Sequence, residues 1–205
     1  MDPAKDKRVN SGFYAVMPNP ADGSIWGASI GYPGAVVRLN PGANPPETAL
    51  AEVYTPPTQP SPYWGNEAIW DSQANAHNPM LDEEGRVWYT AVVRAPGNMP
   101  DYCRAESGHP SAKLFPLERS GRQLSVYDPK TEKYTFVDTC YSTHHLQFAE
   151  DANDTLWTSG GGQVVGWLNS KLFLETGDAG RSQGWTALVL DTNGNGRRDE
   201  YVEPN

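Results

Sequence analysis

An all-β fold is the prediction of this sequence, and three observations carry it. One short phrase occurs three times: Asp22-Gly23-Ser24-Ile25-Trp26, Glu84-Gly85-Arg86-Val87-Trp88 and Asn153-Asp154-Thr155-Leu156-Trp157. Each copy is a polar turn, an aliphatic residue and a tryptophan, preceded by a short apolar run (Phe13 to Met17, Pro79 to Leu81, Leu146 to Ala149). A second apolar run ending in a turn follows each copy: Val36 to Pro41, Leu124 to Pro129 and Val164 to Asn169. The composition points the same way. With 20 Gly and 18 Pro, and tryptophan and tyrosine beside turn residues, the chain disfavours helices and favours many short strands. One strand-built unit used three times predicts propeller blades. The chain therefore reads as a partial β-propeller of three blade-like four-stranded antiparallel units in a single domain over residues 1–205.

The elements follow in order. Residues 1–10 are charged and read as a lead-in. Unit A, 11–57, has strands at 13–17, 24–29, 34–39 and 49–54, with Asp22-Gly23 as its first turn and Asn40-Pro41-Gly42 as a later one. The stretch 55–62 holds several prolines and is an extended linker; Tyr63-Trp64-Gly65 and Ile69-Trp70 after it read as a packed loop. Unit B, 75–140, has strands at 78–82, 86–94, 122–127 and 133–138. Residues 95–121 are an insertion, and Asp128 to Lys133 form a hairpin turn. Unit C, 143–202, has strands at 145–149, 155–159, 163–168 and 186–190, a further strand at 200–202 and a helical turn at 172–176. Gly160-Gly161-Gly162 separates two strands, where positive φ is expected. It lacks the following helix and Lys-Ser/Thr of a phosphate loop.

Several function classes are excluded at this level. A net charge of −9 with no basic stripe argues against nucleic acid as a partner. No apolar run reaches membrane-spanning length, so no membrane partner is expected, and Met1-Asp2-Pro3-Ala4-Lys5 lacks the apolar stretch of a signal peptide. No Gly-x-Ser-x-Gly occurs, and neither cysteine has an activating sequence context. Cys103 and Cys140 are either a disulfide pinning the insertion to its blade or two unpaired thiols. Three blades do not ordinarily close a ring, since propellers have ~4–8. Open ends expose strand edges and apolar faces, so self-association, or membership of a larger protein, is expected.

Three sets of residues carry candidate chemistry. Counting from the repeat, with Met80 set against Phe148 and Trp88 against Trp157, places His77 opposite His145 at the starts of two inner strands; unit A has Gly12 or Phe13 there. Inner strands line a propeller's channel, so two imidazoles at equivalent places suit metal binding or acid–base work, with His144, Glu150 and Asn78 nearby; the alternative is that each histidine only caps a strand. His109, in the insertion, reads as exposed. The second set is Asp191-Thr192-Asn193-Gly194-Asn195-Gly196-Arg197-Arg198-Asp199. Side-chain oxygens at Asp191, Asn193 and Asn195, the Arg197 carbonyl and Asp199 have the spacing of a calcium loop, and Gly196 permits its sharp turn. Val202 stands where an EF-hand needs glutamate and the flanks read as strands, so this resembles the calcium loops inserted in propellers of the integrin α-chain type; the alternative is an Asn-Gly hairpin. The third set is aromatic: Trp26, Trp88 and Trp157 are expected in blade cores. Trp64, Trp70, Trp167 and Trp185 lie in less regular stretches, where packing competes with an aromatic ligand cleft.

The phrases Asn78 to Ala91 and His144 to Thr158 resemble the blade repeats of the streptogramin-lyase-like propellers, the family of virginiamycin B lyase: a Pro or His, a short apolar strand, an Asp-Gly turn, then aliphatic-Trp-Phe/Tyr-Thr. The resemblance covers units B and C well and unit A more loosely. It implies the propeller fold. It also implies, for a lyase, magnesium-dependent elimination with a histidine base, for which His145 and then His77 are the candidates, with Glu150 beside them. The chain is also similar to longer exported bacterial propeller proteins of unknown function. In those, a segment like Asp199 to Asn205 runs into one like Asp2 to Arg8, which implies that unit A belongs after unit C. Two readings result: a propeller that binds a small molecule or partner, with structural calcium, or a divalent-metal-dependent lyase.

Overall fold

The structure, a computed structural model, describes residue 4 and residues 12–29, 35–56, 76–160 and 162–199. Among them are 12 strands in three four-stranded sheets, each a simple antiparallel meander. Blade 1 is β1 (Phe13–Pro18), β2 (Ile25–Ser29), β3 (Ala35–Asn40) and β4 (Leu50–Tyr54). Blade 2 is β5 (His77–Leu81), β6 (Val87–Ala91), β7 (Gln123–Asp128) and β8 (Lys133–Val137). Blade 3 is β9 (His145–Phe148), β10 (Thr155–Ser159), β11 (Val164–Asn169) and β12 (Gln183–Ala187). The innermost strands adjoin: β5 packs against β1 and β2, and β9 against β5 and β6. This is an all-β, partial propeller-like arrangement.

The repeated phrase is the turn between the first two strands of each blade. Its pivot has positive φ in all three: Gly23 at 72°, Gly85 at 80° and Asp154 at 50°. That backbone region favours glycine and tolerates aspartate, which explains the residues found there. In blade 2 the Asp82 carboxylate organises the turn. It accepts from the Glu84 and Arg86 amides (3.0 and 2.9 Å), from Arg86 Nε (2.6 Å) and from Trp88 Nε1 (2.8 Å). In blade 1 the relay is longer: Trp26 Nε1 donates to Ser24 Oγ, which donates to Asp22. The indole is thus tied to its own turn while its rings fill the space between blades.

Period-2 alternation gives each blade two faces, and those of the middle blade are both buried, so all five residues of β6 are enclosed. One core lies between blades 1 and 2, with Trp26, Ala28 and Val36 against Val87, Tyr89 and Tyr127. The next lies between blades 2 and 3, with Trp88, Leu124 and Val126 against Leu156, Leu168 and Phe173. A third core ties the insertion to blade 3 through Met99, Cys103, Ala112, Tyr141 and Trp185. Cys103 and Cys140 are joined, which fixes the insertion to the end of β8.

The structure corrects several expectations. The insertion carries two turns of 3-10 helix (Asp101–Cys103 and Ala105–Ser107) and the short helix α1 (Pro110–Leu114). Strand β6 ends at Ala91, where the chain leaves toward the insertion. The helical turn expected at 172–176 is the longer α2 (Ser170–Thr176), followed by α3 (Ala179–Ser182). The last strand is 183–187 instead of 186–190. The apolar run there misleads, because Leu188, Val189 and Leu190 are exposed. Trp185 sets the register: it is buried among the insertion's side chains, and its indole N–H donates to the Phe115 carbonyl at 2.6 Å. Gly160 and Gly162 lack positive φ. Gly160 instead permits close approach, since a Cβ there would overlap the Ser142 carbonyl. Trp157 is 41% exposed, against 2% for Trp26 and 0% for Trp88. The lead-in apart from residue 4, the core of the linker, Trp64, Trp70 and the strand expected at 200–202 lie outside the described residues.

Candidate functional site

Strand pairing places the histidines. Trp88 pairs with Met80 and Trp157 with Gln147, so the expected match of Met80 with Phe148 is off by one. A bulge in β5 between His77 and Met80 absorbs the difference, and His77 and His145 remain equivalent: His77 pairs with Thr90 and His145 with Ser159, each two residues beyond its tryptophan. The equivalent residue in blade 1 is Tyr14, paired with Ala28 two beyond Trp26, and not Gly12 or Phe13. β1 carries the same bulge, and a non-glycine residue takes positive φ in each: Ala15 at 58° and Asn78 at 49°.

The three inner strands thereby bring their aromatic rings into a row. Tyr14 stacks on His77 with centroids 4.2 Å apart. His77 meets His144 at 4.8 Å, and His144 meets His145 at 4.4 Å. Asn78, the bulged residue, crosses from blade 2 to blade 3. Its amide nitrogen donates to the His144 carbonyl and lies 3.2 Å from His145 Nδ1. Thr90 Oγ1 donates to the His77 carbonyl at 3.0 Å and holds the strand end.

His77 is 8% exposed, and its Nδ1 has no hydrogen-bond partner. Burial pushes its pKa down to about 4, and the neighbouring positive charges of Arg122, His144 and His145 push the same way. His144 is lowered by burial and then by His145 and Arg122. Arg122 is itself lowered by burial. At neutral pH His77 and His144 are therefore neutral N–H donors and acceptors, and Arg122 keeps its guanidinium charge.

Glu150 stands apart from this row. It lies in the turn beyond the far end of β9, so a strand's rise of about 3.3 Å per residue separates it from His145 by on the order of 15 Å. Tyr14 and Arg122 belong to the site, although sequence reasoning missed both. Tyr14 was findable by counting back from Trp26, had the bulge been known. Arg122 precedes β7, and nothing in its own sequence context marks it.

His109 is not simply exposed. Its ring stacks on Trp185 at 4.8 Å and 7°, Nδ1 accepts from the Ser111 amide and Nε2 lies 3.1 Å from the Gln183 carbonyl, a pattern that puts a ring proton on Nε2. It borders a cleft of about 570 Å³ between the insertion and blade 3, lined also by Tyr102, Trp167, Asp178 and Arg181.

The 191–199 loop closes on itself. Asp191 accepts from the amides of Asn195 (3.0 Å) and Gly196 (2.9 Å), Asn193 from Asn195 (3.1 Å), and Asn195 from Arg197 (2.8 Å). Asp199 accepts from Thr192 N–H and Oγ1, and its own amide donates to Leu190. The side-chain oxygens at positions one, three and five of the loop thus turn inward over its amides. Among the described residues no group of three or more His, Cys, Asp or Glu side chains is placed to hold a metal ion, in the histidine row or elsewhere.

The fold and this site define a class, an all-β protein of propeller-like blades with an imidazole row across its inner strands. Comparison with known proteins finds no matching family model, no similar curated protein and no matching solved structure.

Proposed function

We propose that the chain is a ligand-binding propeller segment that takes a small anionic ligand at the crossing of β1, β5 and β9, with calcium as a structural ion in the 191–199 loop. The observation that carries this reading is His77: nine-tenths buried, its Nδ1 unpaired, and acted on by the positive charge of Arg122. A buried imidazole nitrogen without a partner is costly, and with the ring proton on Nδ1 an anionic oxygen would satisfy it. Calcium is supported by the ligand spacing of the loop and by the inward turn of its oxygens.

The lyase reading asks for a divalent metal beside the histidines. The rings of His77, His144 and His145 pack against one another and form no chelating group among the described residues, and Glu150 is remote. Binding is therefore the favoured function, with His145 and His77 as the acid–base candidates only if a metal is brought by the substrate.

Titration of the protein with inorganic phosphate and with succinate at pH 7, followed by the histidine ring proton resonances, tests this. Saturable shifts of His77, His144 and His145, lost in Arg122→Gln, are expected. Resonances that stay in place with both anions at tens of millimolar overturn it.

A further inference from the structure

Trp157 holds in blade 3 the place of Trp26 in blade 1 and Trp88 in blade 2, and only Trp157 is uncovered. Trp26 is covered by blade 2, where Tyr127 stands 6.5 Å away, and Trp88 by blade 3, where Phe148 stands 6.3 Å away. Each tryptophan therefore packs under the following blade. Trp157 has Trp167 beside it at 5.4 Å, on its own sheet. Around it the face of blade 3 is a groove of about 420 Å³ lined by His145, Gln147, Trp157, Ser159 and Val165.

The matching surface is on blade 1. The residues of blade 2 that cover Trp26 include Val87, Tyr127, Tyr134 and Phe136. Strand pairing gives their equivalents in blade 1 as Ile25, Leu39, Ala51 and Val53, on the face turned away from blade 2. These are apolar, and Val53 is 45% exposed. The contact made twice within the chain is thus offered a third time, with its donor face on blade 3 and its acceptor face on blade 1.

We propose that the open face of blade 3 packs against the outward face of blade 1 of a second copy, and reciprocally, so that two chains close one ring. Continuity with the two internal interfaces identifies the occupant: a sheet of the same kind, presented in the same register. Two copies of three blades fall within the ~4–8 blades that close a propeller, and a two-fold axis makes both contacts at once. In that ring His145 faces β1 of the second copy, as Tyr14 faces β5 within the chain.

Sedimentation velocity over about 1 to 100 μM, a range suited to an interface of this kind, tests it on the full chain. A mass twice that of the single chain is expected. Trp157→Lys and Val53→Lys should each give single chains, with near-UV circular dichroism showing that both stay folded. Mixed together, they should pair again through the one intact contact, at least about ten-fold more weakly than wild type. A wild-type protein that remains single at the highest concentration overturns the proposal. So does Val53→Lys pairing as wild type while Trp157→Lys does not, because that result means blade 3 faces pair with each other.

Discussion

Tyr14 lies flat on His77, ring centroids 4.2 Å apart and planes within 26°. One ring comes from the first blade and the other from the second, at equivalent positions beside equivalent bulges. The stack encloses His77 and makes its protonation costly, which ties the stability of the blade crossing to pH.

An unfolded histidine takes its proton near pH 6.5, whereas folded His77 holds out until about pH 4. Between those values the unfolded chain binds the extra proton, so stability is fully present above pH 6.5 and falls as pH drops through the window. The slope for one proton is about 1.4 kcal/mol per pH unit. His77→Phe keeps the stack and removes the titration. Urea midpoints at pH 7 and pH 5 should lie closer together for that variant than for wild type, His144 leaving a smaller remainder; an equal fall in both proteins would place the pH dependence elsewhere.

Asp82 is the buried anchor of the blade 2 turn. Its carboxylate serves two amides, Arg86 and the indole of Trp88, and its side chain is 0% exposed. Asp82→Ala strands these donors and should cost about 3 kcal/mol of unfolding free energy. Asp151→Ala, in the exposed turn of blade 3, should cost less, because water replaces the carboxylate for the Asn153 and Thr155 amides. Chemical denaturation of the two variants side by side checks the order.

The Cys103–Cys140 bridge closes a loop over a sequence separation of 37. Loop closure of that size limits the unfolded chain and contributes about 3–4 kcal/mol. Replacing both cysteines with serine should lower the melting temperature and make the insertion the first region cut by protease. Blades 1 and 2, whose shared core the insertion does not enter, should keep their protection from amide exchange.

Millimolar calcium should raise the melting temperature, and Asp191→Ala should abolish the rise, since Asp191 supplies the first oxygen of the loop and fixes its turn through Asn195 and Gly196. Magnesium at the same concentration should do less, because its octahedral shell fits the loop's oxygens poorly. Melting curves that coincide with and without calcium leave the loop as a turn.

The sequence by itself determined the blades. Tryptophan after a polar turn, flanked by alternating strands, is local information, and 11 of the 12 strands lie where turn residues and periodicity put them. It also paired His77 with His145, because both sit near the same repeated phrase. Tertiary structure decided the rest. Bulges at Ala15 and Asn78 shift the register by one residue without leaving a mark in composition, and so hid Tyr14. Arg122, just before β7, acts electrostatically on His77 and His144 from elsewhere in the fold. β12 was fixed by burial of Trp185 against a remote insertion, overruling a more apolar run next to it. Trp157 reads like its two counterparts, yet it is exposed, because burial depends on a blade packed over it and none of the described residues provides one there. Periodicity is written in neighbouring residues; coverage belongs to whatever surface arrives from elsewhere.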